Sequence, residues 1–161
     1  MKQDRSITIG VVEPAEIQRC VEITQEAFNG VSLDQAVERQ LGSRCGRSWQ
    51  DIKGEQVRRE MQQTPQHCFV ARAGSSVVGC VTNEVDMTTL RGRIMNLAVD
   101  GSCRGQGIGR LLIERSLEYF RGLGLKQARI ETLATNAVGQ HLYPSCGFVE
   151  IVRQVHYAMN L

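Results

Sequence analysis

Hydrophobic and polar positions repeat with two different periods along the chain, and the period changes near Pro65. Before that residue, apolar positions recur mainly at helical spacing, as in Ile17, Val21 and Phe28, after one strand rich in Ile, Val and Thr. The elements predicted there are a strand over Ser6–Val12, helices from Pro14 to Asn29-Gly30, from about Leu33 and over Glu55–Gln63, and a loop over Gly42–Gly54.

After Pro65, short β-branched runs alternate with amphipathic helical stretches. The elements predicted there are strands over His67–Arg72, Val77–Val85, Arg93–Val99 and Ala128–Leu133, a helix from the Gly101–Gly107 loop to about Leu123, a helix over Asn136–Cys146, and final strands over Phe148–Val152 and Gln154–Met159. This order of elements predicts an α/β fold with a mixed sheet. No repeat or linker indicates a second domain.

The segment with the most specific chemistry reads Arg104-Gly105-Gln106-Gly107-Ile108-Gly109-Arg110, between a predicted strand and a predicted helix. Glycines allow a tight turn and bring backbone N–H groups close to a ligand. A helix N-terminus adds unpaired donors and partial positive charge, and arginines add charge-assisted contacts. The segment therefore predicts an anion site suited to phosphate or pyrophosphate.

Two other phosphate-binding motifs are excluded. A nucleotide P-loop requires Gly-Lys followed by Ser or Thr, which the chain lacks. A dinucleotide fingerprint GxGxxG starting at Gly105 or Gly107 would place its last glycine at Arg110 or Leu112.

Arg104–Gly109 resembles the hallmark of the GNAT superfamily of N-acetyltransferases: Arg or Gln, any two residues, Gly, any residue, then Gly or Ala. A second motif agrees with it, because Asn136 is followed seven residues later by Tyr143 and then by Gly147-Phe148. The resemblance implies acetyl-CoA as co-substrate, with the loop amides on its pyrophosphate and the strand edge on its pantetheine arm. The implied contacts come from Leu97, Ala98, Val99, Arg104, Gly105, Gln106, Gly107, Ile108, Gly109, Arg110, Asn136 and Tyr143.

The resemblance also implies the organisation of the chain. It indicates one N-acetyltransferase domain over residues 1–161 with a largely antiparallel mixed sheet flanked by helices. Residues of about 1–66 would shape the acceptor site, and residues of about 67–152 would form the acetyl-CoA-binding core.

A free amine can attack a thioester directly, so no covalent enzyme intermediate is needed. By resemblance, Tyr143 would be the general acid that protonates the departing thiolate, since an ordinary tyrosine is protonated at neutral pH. The position at which some family members place a glutamate base is Arg93 here. The base is therefore left open between Glu84 and Glu131, with His141 or a water chain as further alternatives.

Composition restricts the other classes of function. The net charge is +2, from 19 basic and 17 acidic residues, which gives no indication of nucleic-acid binding. The six cysteines have wide, irregular spacings without a CxxC pair, so no metal site is predicted.

No apolar run approaches the roughly 18 residues of a membrane span, and Met1–Arg5 leads into a strand and not into an apolar signal core. We therefore expect a cytoplasmic protein.

The sequence thus predicts an N-acetyltransferase acting on a primary amine, with a small-molecule amine as the first expectation. The alternatives are a protein α-amine or lysine as acceptor, or an acyl-CoA-binding sensor without turnover. A homodimer is left open, because sheet-edge dimers are common in the family that the chain resembles.

Overall fold

The sheet contains five strands in the order in which they occur along the chain. The computed structural model describes residues 6–161; Met1–Arg5, predicted to precede the first strand, lie outside the described residues. The strands are β1 (Ile7–Val11), β2 (Cys68–Ala73), β3 (Ser76–Asp86), β4 (Arg91–Val99) and β5 (Gln127–Ile130). Neighbouring strands from β1 to β4 are antiparallel, and β5 lies parallel to β4.

The helices cover both faces of the sheet. They are α1 (Ile17–Ala27), α2 (Leu33–Leu41), α3 (Trp49–Gln63), α4 (Ile108–Gly122) and α5 (Ala137–Ser145). One apolar core joins α1 and α3 to one face of the sheet through residues such as Val21 and Val57. A second core joins α4 to the other face through residues such as Leu112 and Phe120. The predicted α/β fold, with a mixed and largely antiparallel sheet, is confirmed.

A β-bulge in β4 reverses which face each of its residues occupies. Thr82 pairs with Asn96 and Asn83 pairs with Ile94, so Met95 is an extra residue without a partner on β3. In a regular strand, Ile94 and Ala98 would share a face. Here Ile94 packs in the core beside α4, whereas Ala98 packs in the core beside α1 and α3.

The bulge also marks the point where β4 and β5 separate. Arg91–Ile94 pairs with Gln127–Ile130, and β5 ends there, three residues before the predicted Leu133. Within residues 6–161, the rest of β4 pairs with β3 alone. A V-shaped opening therefore lies beside residues 95–99, with backbone polar groups of β4 along one side.

The predicted loop over Gly42–Gly54 is wrong in its second half, because α3 begins at Trp49. Ser48 caps this helix: its side chain accepts from the backbone N–H of Asp51, and the Asp51 carboxylate accepts from the N–H of Ser48. Gly54 lies inside the helix, where a Cβ would be 2.6 Å from Nε2 of Gln25 and 3.0 Å from Cγ1 of Val21. It therefore permits α1 and α3 to approach closely.

The two final strands predicted over Phe148–Val152 and Gln154–Met159 do not form. The chain leaves α5 through Gly147, which has a φ of +94°, and continues as an exposed segment without a ladder partner in the described chain. Alternating apolar residues give a segment the capacity to be a strand, but a strand also requires an adjacent edge to which it hydrogen-bonds.

We expect Gly92→Ala to destabilise the fold. A Cβ on Gly92 would lie 2.5 Å from Cδ2 of the buried Phe120 ring, so α4 and β4 would have to separate. Overpacking of this kind lowers the free energy of unfolding by about 1–3 kcal/mol. The control is Gly122→Ala, where a Cβ meets nothing within 4 Å and a change below about 1 kcal/mol is expected. Urea unfolding measures both, and equal effects would contradict the close approach.

Candidate active site

The glycine-rich loop has an open backbone in front of the first turn of α4. Gly105 and Gly107 have φ values of +76° and +79°, which only glycine adopts without strain. A Cβ on either would meet nothing within 4 Å, so the space next to the loop is free. Gly107 is the N-cap of α4, whose first N–H groups have no partner within the helix. The predicted anion site is therefore geometrically available to a pyrophosphate.

The two arginines of the loop differ in their surroundings. Arg104 is exposed beside the loop and is available to an anion. Arg110 extends to the end of α5, where its guanidinium donates to the carbonyl oxygen of Ser145 at 2.9 Å and to Ser145 Oγ at 2.8 Å. In this structure Arg110 therefore ties α5 to α4.

Helix α5 lies close to the loop because Gly109 leaves room for it. A Cβ on Gly109 would be 3.3 Å from Cδ2 of Leu142. Asn136 is the N-cap of α5, as its Oδ1 accepts from the N–H of Gly139 at 3.2 Å, and its Nδ2 donates to Thr132 Oγ1 at 2.8 Å. The side chain of Asn136 therefore holds the start of α5 in place.

Tyr143 is half-buried on α5 and packs edge-on against Phe148, with ring centroids 6.5 Å apart. Burial raises the pKa of Tyr143 above its ordinary value, and a hydrogen bond with Thr132 offsets part of that rise. A raised pKa keeps the phenol protonated at neutral pH, so the group is able to donate a proton.

The two predicted bases both contact Arg93. The Arg93 guanidinium lies 2.5 Å from the carboxylate of Glu131 and 3.7 Å from that of Glu84. Two carboxylates share one guanidinium here, and Arg129 of β5 is paired with Arg93 in register. His141, the further candidate, is exposed on α5.

Sequence reasoning missed a buried polar network at the bulge. The Glu60 carboxylate on α3 accepts from Thr82 Oγ1 at 2.6 Å and from Asn96 Nδ2 at 2.8 Å. Lys53, also on α3, donates from Nζ to Asn96 Oδ1 at 3.2 Å and lies 4.7 Å from the centre of the Phe28 ring. Lys53, Thr82 and Asn96 are all buried, so α3 is joined to β4 by these hydrogen bonds directly before Leu97.

One signal in the sequence indicates this network. Lys53 and Glu60 are seven residues apart, so they share a helix face with the buried Val57 and Met61. Charged residues on an apolar helix face require partners. The shared face can be recognised from the sequence only if α3 begins before Glu55, the first residue of the predicted helix.

Within residues 6–161, no group of three or more His, Cys, Asp or Glu side chains is arranged to hold a metal ion. The same residues include no helix that is both long and apolar enough to cross a bilayer.

Comparison with known proteins gives one family and named relatives. A family model described as acetyltransferase (GNAT) family matches residues 22–148. N-alpha-acetyltransferase 30 of Schizosaccharomyces pombe is 33% identical over 103 residues, which cover 62% of this chain and 69% of that protein. The human protein of the same name is 34% identical over 99 residues, which cover 60% of this chain and only 27% of the human one.

A solved structure with a similar fold is the PaiA N-acetyltransferase of Thermoplasma acidophilum in complex with coenzyme A. It superposes with a TM-score of 0.70 at 17% identity and covers 87% of each chain. At that identity the likeness concerns the fold alone.

Substitution of Lys53 is expected to change how stability depends on pH. Burial lowers the pKa of Lys53 from its ordinary value of 10.5, while Asp34 and Glu60 oppose the shift. Between the lowered pKa and 10.5 the unfolded chain binds more protons than the folded one, so the free energy of unfolding rises with pH in that window. Lys53→Met lacks this contribution, and its stability relative to the wild type should fall as the pH rises from 7 towards 10.5.

Urea unfolding at several pH values measures this trend. Loss of the donor to Asn96 adds an offset that does not depend on pH. Lys126→Met, at an exposed position, is the control variant. A constant difference between Lys53→Met and the wild type would contradict the desolvation of Lys53.

Proposed function

The chain belongs to the acetyltransferase (GNAT) family, and from this we propose that it transfers the acetyl group of acetyl-CoA to the α-amine of a protein N-terminus. The observation that carries the proposal is the sequence similarity to N-alpha-acetyltransferase 30, at 33–34% identity to the fission-yeast and human proteins. This similarity favours the protein α-amine over the small-molecule amine that the sequence put first.

Acetyl-CoA would enter from the side of α4. The pyrophosphate would accept hydrogen bonds from backbone N–H groups between Gly105 and Gly109, with Arg104 adding positive charge. The pantetheine arm contains amide groups and would pair with the open edge of β4 at Leu97–Val99. The pantetheine arm would then run from the loop to the V-shaped opening and place the thioester there.

The acceptor would enter from the side of α3. Glu131 directly follows the end of β5, where the opening begins, and its carboxylate would attract a protonated amine. The protonated amine would first give one proton to Glu131 or Glu84, and the neutral amine would then attack the thioester carbonyl carbon. Backbone N–H near Leu97–Ala98 would stabilise the oxyanion. As the C–S bond breaks, the hydroxyl of Tyr143 would give its proton to the thiolate, and the second proton lost by the nitrogen would pass through water to the Tyr143 oxygen.

The test of the acceptor class uses peptides that differ in a single amine. One peptide has a free N-terminus and no lysine; the second has a blocked N-terminus and one internal lysine; spermidine represents small amines. We expect kcat/KM to be at least tenfold higher for the free N-terminus, about 1.4 kcal/mol in transition-state binding. Thiol release from acetyl-CoA is the measurement. Preference for the lysine peptide or for spermidine would overturn the proposal.

Tyr143→Phe is the matched variant for the same assay, because it keeps the ring that packs on Phe148. Loss of the proton donor should reduce kcat by roughly 10²-fold with little change in the affinity for acetyl-CoA. A variant with full kcat would remove Tyr143 from the mechanism and leave it a packing residue.

Gly107→Val tests the loop separately from the acceptor. Valine at a φ of +79° is strained, and its side chain would occupy the space assigned to the pyrophosphate. We expect at least tenfold weaker binding of CoA by calorimetry, about 1.4 kcal/mol. Gly124→Val is the matched control, since Gly124 has a φ of +77°, equally open surroundings and a position at the far end of α4. Equal CoA affinities in the two variants would show that the loop does not bind the pyrophosphate.

A further inference from the structure

Arg93 of β4 and Arg129 of β5 lie side by side on one face of the sheet. The two strands are parallel and the two arginines are partners in the register, so their side chains point to the same side. A Cβ on Gly92 would meet the Phe120 ring of α4, and Ile94 belongs to the core beside α4. Because successive residues of a strand alternate between faces, Arg93 points away from α4, and so does Arg129.

The side of β5 opposite α4 is not covered by apolar packing. Among residues 6–161, the core beside α1 and α3 takes buried side chains from β2, β3 and β4, and none from β5. Arg129 is exposed, whereas Ala128 and Ile130 on the other side of the strand are partly buried against the core beside α4. The guanidinium of Arg129 is therefore accessible to a bound molecule.

The ion pairs on this face leave one arginine without a partner. The strands β3, β4 and β5, with the residue directly after β5, contribute three arginines and three carboxylates to the face: Arg91, Arg93, Arg129, Glu84, Asp86 and Glu131. Arg91 pairs with Asp86 at 3.8 Å, and Arg93 pairs with both of the other carboxylates. Within the described residues 6–161, the Arg129 guanidinium has no carboxylate within 4.0 Å.

A bound ammonium group changes the charge balance of this face. Before an acceptor binds, three arginines accompany three carboxylates and the charges cancel. A protonated amine held at Glu131 adds one positive charge, and the unpaired Arg129 is then a neighbour of like charge, two residues away in the chain. Like charges at such a distance repel. An acceptor that carries a carboxylate close to its amine is therefore favoured over one that does not.

The spacing of Arg129 and Glu131 indicates where in the acceptor this carboxylate lies. The two residues are two positions apart at the end of β5, so their Cα atoms are about 6.6–6.8 Å apart. In an extended peptide, the side-chain carboxylate of the second residue is roughly 5–8 Å from the α-amine, and that of the third residue is roughly 3 Å farther. The spacing therefore fits the second residue.

We propose that Arg129 selects acceptor peptides whose second residue is aspartate or glutamate. The guanidinium binds that carboxylate through two N–H donors while the α-amine is held at Glu131. Arg93 does not compete for the acceptor, because it is already paired with Glu131 and Glu84. The inference rests on the proposed function, since it requires a peptide N-terminus as the acceptor.

Three peptides that differ only in the second residue, which is aspartate, asparagine or lysine, test this selection by thiol release from acetyl-CoA. In the wild type, kcat/KM should be about fivefold higher for the aspartate peptide than for the asparagine peptide, mainly through KM. Arg129→Gln should bring this ratio to about one, and Arg129→Glu should make the lysine peptide better than the aspartate peptide. The matched control Arg121→Gln removes an exposed arginine from α4 and should keep the wild-type ratio.

The wild-type protein provides a second test without any substitution. Salt screens exposed ion pairs, so the ratio should fall towards one between about 20 mM and 500 mM NaCl. A wild-type ratio of one at low salt, a ratio that does not change with salt, or an unchanged ratio in Arg129→Gln would overturn the proposal. In these cases the asparagine peptide is still acetylated, so the proposed function stands. If none of the three peptides is acetylated, the proposed function fails and the selection by Arg129 fails with it.

Discussion

The extra residue Met95 in β4 is the constraint on which the rest of the site depends. It reverses the facing of the strand, so that Ile94 belongs to the core beside α4 and Ala98 to the core beside α1 and α3. At the same point β5 ends, and β4 continues with one edge open. The opening thus lies where β4 loses β5 as a neighbour, keeps β3, and reverses the facing of its side chains.

The bulge is stabilised by buried hydrogen bonds and not by apolar packing alone. Asn96 donates to Glu60 and Thr82 and accepts from Lys53, so the residue next to the bulge is held from α3 on one side and β3 on the other. Hydrogen bonds of this kind are directional, and loss of any one partner leaves the other buried polar groups without a hydrogen bond. Burying the ammonium group of Lys53 costs desolvation free energy, and the same group holds Asn96 beside the opening. The desolvation of Lys53 is therefore linked to the position of β4 at the opening.

The sequence best predicted the features that are determined by residues close together in the chain. The glycine loop, the start of α4 and the motif in α5 were found because backbone conformation and capping depend on neighbouring residues, as at Gly107 and Asn136. The network of Lys53, Glu60 and Asn96 was missed because its partners are far apart in sequence and α3 was predicted to start too late. The C-terminal strands were wrong for a different reason: alternation predicts that a segment is able to pair, but not with which edge.

Two separate cores, one on each face of the sheet, have a consequence for the divergence of such proteins. Residues facing α1 and α3 surround the proposed acceptor side, while those facing α4 support the glycine loop. Substitutions on the first face can accumulate with little disturbance of the second, because among residues 6–161 no side chain belongs to both cores. Under the proposed function, the acceptor side can therefore diverge one residue at a time while the acetyl-CoA side is retained.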